Sequence, residues 1–551
     1  MPLARHIDPE DLIEKLSHVN LGEGDEHREA KQLRKSMATS HLTPYGTKYA
    51  SKAEVPKYRL PKEGAPADSV YQLIRDELDL DGRPNLNLAS FVGTYMEPNA
   101  VQLMTENLSK NLADNDEYPA MMAIHERCIS ILAHLWGAKK EEKAVGTATT
   151  GSSEAIHLGG LAMKRRWQKA RREKGLDTSR PNIIMGANAQ VALEKFARYF
   201  EVEARILPVS EKSRYRLDPD LVKENIDENT IGVFVILGST YTGHYEPVEE
   251  ISKILDEYQE RTGIDIPIHV DAASGGFVAP FTHAGAGGTK WNFELPRVKS
   301  INTSGHKYGL VYAGVGWIIW RDEKFLPEEL IFELHYLGGT EKSFALNFSR
   351  PGAQVIVQYY NLIHLGFNGY REIMENCLTN ARLLSKTLEA TTWYTCASEI
   401  HKPNPNKKAA DRSAEGTTSA AYIAGLPVVS FHFSDSFKKD YPHVKQESVS
   451  LLMRARQWII PNYALPPNEN QTEILRVVVR ESMSLDLLDR LISDLISVTE
   501  TLMQSGETDL SALQHKDAGS AGSQGDSKDS KKKSHHDMEK RLGKGIHRSV
   551  C

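Results

Sequence analysis

Short apolar runs and longer amphipathic segments alternate along the chain between about residue 86 and residue 370. The runs at 182–185, 231–237, 266–270, 298–302 and 315–320 are β-branched and nearly continuous, which predicts strands buried on both faces. Between them, 153–174 and 248–262 carry apolar residues at helical spacing and predict helices. Strands of that kind alternating with helices predict a mostly parallel sheet covered on both sides, an α/β fold.

The pattern changes on either side. Residues 1–85 are polar, broken by prolines and predicted to be an N-terminal arm, with one helix at 8–18 that Asp8 caps and Pro9 opens. The large domain is placed at 86–370. From 371 to 502 a long helix (370–390), a polar insertion at 402–418, strands at 428–433 and 474–479, and helices at 448–457 and 485–502 predict a second, smaller α+β domain. Residues 503–551 turn into a tail rich in Gly, Ser, Lys and Asp, too poor in apolar surface to fold alone. No internal repeat is visible.

Composition narrows the classes. Lys+Arg number 67 against 73 Asp+Glu, a formal charge of −6, and this mild acidity argues against a generic nucleic-acid binder. No apolar run approaches the roughly 18 residues that cross a bilayer, and the acidic residues in the first segment are unlike a secretory signal. Four cysteines (Cys128, Cys377, Cys396 and Cys551) are too scattered for a disulfide framework or a structural zinc site, so no metal is expected and a reducing, cytoplasmic setting is. Cys128 and Cys377 are expected to pack as small buried groups, and Trp136, Trp317 and Trp320 as core.

The candidate chemistry falls just after predicted strands, where open parallel sheets bind ligands. Asp271 closes IPIHVD, Thr240 follows the run ending at Gly238, and His306 and Lys307 follow VKSINTSG. TTGSSEAIHLGG (149–160) is a small-residue turn entering a helix, whose free amides suit a phosphate. Each piece has a bland reading: a surface His-Lys pair, a helix start with Glu154 in its first turn, and an Asp that caps a turn. Local caps and turns do not predict their joint occurrence in this order. A lysine, an aspartate and a phosphate cradle on one sheet edge read as a pyridoxal phosphate site.

SINTSGHKYG (300–309), HVDAASGGF (269–277) and TGSSEA (150–155) resemble the pyridoxal-phosphate-dependent group II amino acid decarboxylases. LASFVGTY (88–95), DEYPAMMAIHERC (116–128), FARYFEVE (196–203), TYTGHYE (240–246) and LNFSRPGAQVIVQYY (346–360) are similar to its glutamate decarboxylase branch, and the likeness runs from about residue 45 to 500. It implies the aspartate aminotransferase-like architecture (fold type I). It also implies conversion of L-glutamate and a proton to 4-aminobutanoate and carbon dioxide.

The resemblance assigns roles residue by residue. Lys307 matches the Schiff-base lysine and Asp271 the partner of the pyridine nitrogen. Ser152, Ser153, Ser304 and His306 match phosphate contacts; His306 is also placed to stack on the ring, donate a proton or simply pack. Ser349 matches a phosphate contact from a neighbouring subunit, which implies a homodimer or hexamer with a shared site. Thr240 lies near the ring hydroxyl, and Gln190 where the family stacks a side chain on the ring. Arg476 matches the arginine for the α-carboxylate, its bland alternative being a salt bridge on the smaller sheet. Ser90 and Phe91, with Asn111 and Asp114 nearby, match the pocket for the distal carboxylate.

Two further readings stay open. A transaminase would also use the Lys and Asp, and an inactive scaffold would show damage at Lys307, Asp271 or Arg476, where none is seen. The tail carries lysines at 531–533 beside His535 and His536 but no Trp anchor, so the calmodulin-binding property of plant relatives is not carried over.

Overall fold

The computed structural model describes residues 58–62, 64–283, 290–334, 341–405 and 418–505. The helix expected at 8–18, most of the insertion and nearly all of the tail lie outside them. Residues up to 83 belong to a unit of their own, whose described part holds helix α1 (Ala67–Leu78).

Seven strands make one sheet in the order β1-β7-β6-β5-β4-β2-β3. They are β1 (Val145–Thr149), β2 (Asn182–Gly186), β3 (Glu203–Leu207), β4 (Thr230–Ile236), β5 (Ile268–Asp271), β6 (Val298–Ser304) and β7 (Gly316–Trp320). The pairs from β3 to β6 are parallel, while β7 runs antiparallel to both β6 and β1. The connection 305–315 holds no helix, and a parallel neighbour needs a crossover, so β7 returns the other way. The apolar pattern marked β2, β4, β5, β6 and β7. It did not mark β1 or β3, which are the sheet's edges: β1 is built of Val, Gly, Thr and Ala, and β3 fully buries only Leu207.

Helices cover the sheet: α2 (Pro98–Glu106), α3 (Pro119–Leu135), α4 (Ser152–Glu173), α5 (Val191–Tyr199), α6 (Pro219–Asn225), α7 (Val248–Thr262) and the single turn α8 (Ala279–Thr282). Helix α4 packs across β6 and β7, with Ala155, Leu158 and Ala162 against Ile318 and Trp320, while Gly159 lies on His269 of β5 and Gly160 on Phe196 of α5. Trp136, Trp317 and Trp320 are core side chains, and Cys128 and Cys377 are buried, as expected.

A two-stranded ribbon, β8 (Phe332–Leu334) and β9 (Glu341–Ser343), precedes the long helix α9 (Ala353–Ala390). Gly366 (φ 58°, ψ −170°) breaks α9 into two, and the second part, from just after Gly366 to Ala390, is the helix expected at 370–390. This second part packs on an antiparallel sheet of order β10-β11-β13-β12: β10 (Tyr394–Cys396), β11 (Val428–Phe433), β12 (Asn462–Ala464) and β13 (Glu473–Val478). Helices α10 (Asp435–Asp440), α11 (Gln446–Ala455) and α12 (Leu485–Gln504) complete a separate core around Phe431, Leu475, Val477, Trp458 and Leu491.

The segment before α2 is stitched to that smaller sheet. Leu88 N–H donates to the Ile459 carbonyl (3.0 Å), Val478 N–H donates to the Leu88 carbonyl (2.9 Å), and the Leu88 side chain sits in the smaller core. Residues 89–93 then cross toward the large sheet, where Gly93 N–H donates to the His306 carbonyl (3.0 Å).

The ends of β4 and β5 approach so closely that a Cβ on Gly275 would lie 2.2 Å from the Leu237 carbonyl oxygen. Backbone cannot yield as a side-chain tip can. Gly275→Ala is therefore expected to lower stability by about 1–3 kcal/mol, the usual range for overpacking, read as a lower urea midpoint at unchanged slope.

Candidate active site

Lys307 stands in the turn after β6, Asp271 closes β5, Thr240 follows β4, Gln190 follows β2, and Ser152 and Ser153 open α4 just after β1. These five strands run in one direction, so distant stretches of sequence meet at one carboxyl edge of the sheet.

Asp271 is 4% exposed. Its Oδ1 accepts the Asn302 Nδ2–H (2.9 Å) and the Ala273 amide (3.1 Å), so the turn-capping reading of this residue also holds. Burial raises its pKa, opposed by the Asn302 bond and by the nearby charge of Lys307. Both donors use Oδ1, and among the described residues no hydrogen bond falls on Oδ2.

No side chain caps α4 at Gly151, so the first-turn amides of Ser152 and Ser153 lack intrahelical acceptors and carry the positive end of the helix dipole. Ser152 Oγ lies 2.7 Å from Ser304 Oγ, which joins the two expected phosphate contacts. Glu154 does act locally as well, accepting from the Thr150 amide (2.9 Å) and the Asn347 amide (3.0 Å). The His306 ring packs against Gly151, where a Cβ would come within 3.2 Å of its Cε1. Its buried Nδ1 has no partner among the described residues. Burial, then the charge of Lys307, push its pKa down to about 4.

Lys307 Nζ reaches Ser274 Oγ at 3.5 Å and lies 5.4 Å from the centre of the Phe91 ring. The Arg476 guanidinium lies 5.1 Å from the same ring and 5.6 Å from that of Tyr463. Arg476 comes from β13 and is 1% exposed. It donates to the carbonyls of Thr240 (2.9 Å) and Ala89, its Nε is unpartnered, and no described ion pair includes it. The salt-bridge alternative is not what the described residues show. Ser90 Oγ accepts the Val92 amide (3.1 Å) and keeps its own proton to donate.

Asn111, Asp114 and Ser349 form a group of their own. Asn111 Nδ2 donates to Asp114 Oδ1 (3.2 Å) and Ser349 Oγ (3.5 Å), and its Oδ1 accepts the Arg350 amide (3.0 Å). Ser349 is exposed. Gln190 caps α5, its Oε1 accepting the Ala192 amide at 2.7 Å, which leaves the NH2 for other contacts. The sequence reading did not single out Ser274, Tyr463, Asn302 or His269. Ser274, Asn302 and His269 lie within motifs it quoted; Tyr463 carried no signal, because only the pairing of β12 with β13 brings its ring to Arg476.

The residues present fit pyridoxal phosphate on three counts. A buried carboxylate has one oxygen free for a ring N–H, an uncapped helix end with two hydroxyls awaits a phosphate, and a lysine lies beside the carboxylate's field.

Behind Asp271, His269 is fully buried and held at a pKa of about 4, burial being the main cause. Between pH 4 and 6.5 the unfolded chain then binds a proton that the folded one refuses, so stability rises with pH across that window and is lost as pH falls through it. A pKa of about 4 in place of 6.5 is worth about 3 kcal/mol at most. Glu246, raised to about 6 by burial, acts in the opposite sense between 4.5 and 6. Urea unfolding from pH 7 to 4.5 should therefore show a smaller loss of stability for His269→Gln than for the unaltered protein; equal losses would refute the assignment.

Residues 61–404 match the pyridoxal-dependent decarboxylase conserved domain. The chain is 51% identical over 468 residues to glutamate decarboxylase of Saccharomyces cerevisiae, covering 82% of this chain and 80% of that one. It is 45% identical over 466 residues to glutamate decarboxylase 2 of Arabidopsis thaliana (84% and 87%). The solved glutamate decarboxylase of Lactobacillus brevis superposes with a TM-score of 0.75 at 38% identity, covering 84% of this chain and 98% of that structure. With the lysine, the buried aspartate and the uncapped helix end gathered on one sheet edge, these likenesses place the chain in the glutamate decarboxylase branch of the pyridoxal-dependent decarboxylases.

Proposed function

We propose that the chain converts L-glutamate and one proton to 4-aminobutanoate and carbon dioxide. The observation that carries the reading is a buried arginine, uncommitted to any described carboxylate, that shares the Phe91 ring with Lys307. Pyridoxal phosphate, when bound, supplies an electron sink for the pair left behind as carbon dioxide departs.

The chain's own groups do the rest. Lys307 would provide the amine that holds the cofactor. The Asp271 carboxylate would hold its ring nitrogen protonated. The amides and hydroxyls of Ser152 and Ser153, with Ser304, take the phosphate, and Gln190 and Thr240 border the ring. Arg476 takes the α-carboxylate with a planar fork that a lysine cannot offer. Ser90 Oγ–H and the Phe91 amide take the distal carboxylate. Positioning of the bond to the α-carboxylate selects it over the neighbouring C–H bond. Lys307 Nζ returns a proton to the α-carbon; His306, held neutral by its lowered pKa, is the poorer donor.

The group of Asn111, Asp114 and Ser349 serves the site of a second copy in this reading, which makes the working form at least a homodimer, with a hexamer the larger expectation. The exposure of Ser349 supports it. An Asp114 carboxylate near the distal carboxylate would favour acid conditions, since two like charges resist sharing a site. The layout into arm, large domain, small domain and tail, and a cytoplasmic setting, belong to the same proposal. Among the described residues no helix is long and apolar enough to cross a membrane.

NMR of amine products from a panel of amino acids, with added pyridoxal phosphate at acid and neutral pH, tests the reading. Glutamate should yield 4-aminobutanoate while aspartate and aromatic amino acids yield little; no amine from any substrate would overturn the proposal. Lys307→Ala should cut turnover by a factor on the order of 10³ or more. Arg476→Lys should raise KM roughly tenfold, the loss of about 1.4 kcal/mol.

A further inference from the structure

A chain of buried polar groups runs inward from Asp271. Asn302 stands opposite Asp271 in the β5–β6 register, and Ser300 opposite His269, so all four side chains share one face of the sheet. Asn302 Nδ2 donates to Asp271 Oδ1 at 2.9 Å, His269 Nε2 lies 2.7 Å from Asn302 Oδ1, and His269 Nδ1 lies 2.7 Å from Ser300 Oγ. His269 and Asn302 are fully buried, and Ser300 is 1% exposed. The imidazole lies edge-on to Phe234 (5.4 Å, 79°) and against helix α4, where a Cβ on Gly159 would come within 2.5 Å of its Nδ1. Any side chain at 159 would displace the ring, so the helix that opens at Ser152 also closes over this chain of groups.

Donor and acceptor roles follow without ambiguity from the far end. An ionised Asp271 only accepts, so the Asn302 amide turns its NH2 to the aspartate and its oxygen to His269. The imidazole must then carry its proton on Nε2, and its Nδ1 accepts the Ser300 hydroxyl. Both ring nitrogens and both ends of the amide are satisfied.

We propose that His269 and Asn302 are positioning residues for Asp271: the chain from Ser300 fixes Oδ1, leaves Oδ2 aimed at the cofactor's ring nitrogen, and keeps the carboxylate charged. The inference rests on the reading of Asp271 given above. It assigns work to two side chains that never touch cofactor or substrate. Without the Asn302 N–H, burial alone would favour the protonated acid, which cannot hold a pyridinium by charge.

The test uses the reconstituted holoenzyme with pyridoxal phosphate labelled with ¹⁵N in its ring. In the unaltered protein the ring nitrogen should stay protonated to at least pH 8. In Asn302→Leu, which keeps the volume but loses the amide, it should titrate at lower pH, and the cofactor dissociation constant should rise tenfold or more. His269→Leu should shift both readouts in the same direction. His269→Gln, whose terminal N–H replaces that of Nε2, should restore affinity to within about threefold of the unaltered protein, where a merely volume-filling role would make Gln no better than Leu. Unchanged affinity and ring titration in both leucine variants would overturn the proposal. Should the leucine variants fail to fold, ¹⁵N-histidine NMR of the unaltered protein decides: a neutral His269 protonated on Nε2 between pH 6 and 8 is required, and a Nδ1–H tautomer or an imidazolium overturns it. Failure of the unaltered protein to bind pyridoxal phosphate would instead sink the reading of the site.

Discussion

A carboxylate placed inside the large core is the constraint around which the rest of the site is arranged. Burying a charged Asp271 is costly unless its oxygens are hydrogen-bonded and a cation stands near. The structure meets that cost with an asparagine opposite it in register, a backbone amide two residues on, and Lys307 one strand away. The parallel alignment of β4, β5 and β6 makes those partners available together. The tight approach of Gly275 to Leu237 and of Gly159 to His269 is what lets strand ends and helix close around them. Any side chain at 159 would displace the His269 ring, and any at 275 would press on the Leu237 carbonyl at the end of β4.

The other half of the site depends on the strap that precedes α2. Arg480 donates to the carbonyls of Val92, Asn87 (2.9 Å) and Pro84 (3.0 Å), and Arg476 to that of Ala89. Both arginines come from the end of β13 or just beyond it. Two guanidiniums of the smaller sheet thus hold the backbone on either side of Ser90 and Phe91. Buried carbonyls in an irregular segment need donors, and forked cations supply several from one residue.

Much of this was legible in the sequence, and the reasons are specific. The central strands are apolar on both faces, so β2, β4, β5, β6 and β7 stand out, whereas the edge strands β1 and β3 carry small or polar residues and pass for loops. Lys307, Asp271 and the turn at Gly151 were visible because each ends a strand and carries a residue type with a chemical use. His269 and Asn302 were hidden for the opposite reason. Inside VKSINTSG and IPIHVD they look like ordinary polar punctuation, and their meaning lies in cross-strand register, which one chain read in order does not display. The hold of Arg476 on Ala89 needs a fold that brings residues almost four hundred positions apart into contact, and the Tyr463 ring meets Arg476 only through the pairing of β12 with β13. The break at Gly366 was hidden too, because glycine inside an otherwise helical pattern is usually tolerated.

The bond from Arg476 to the Ala89 carbonyl carries a consequence for selectivity. Arg476 is the proposed holder of the α-carboxylate, and Ser90, the next residue after Ala89, is a proposed holder of the distal one. One guanidinium therefore grips the backbone that sets the second binding point, and it also donates to the Thr240 carbonyl at the cofactor edge (2.9 Å). On that reading the spacing of the two carboxylate sites would be set by a buried hydrogen-bonded contact, and a dicarboxylic amino acid one methylene shorter would satisfy Arg476 or Ser90 but not both. In a site where polar groups are desolvated, the one left unpaired counts against binding far more than a methylene alone would.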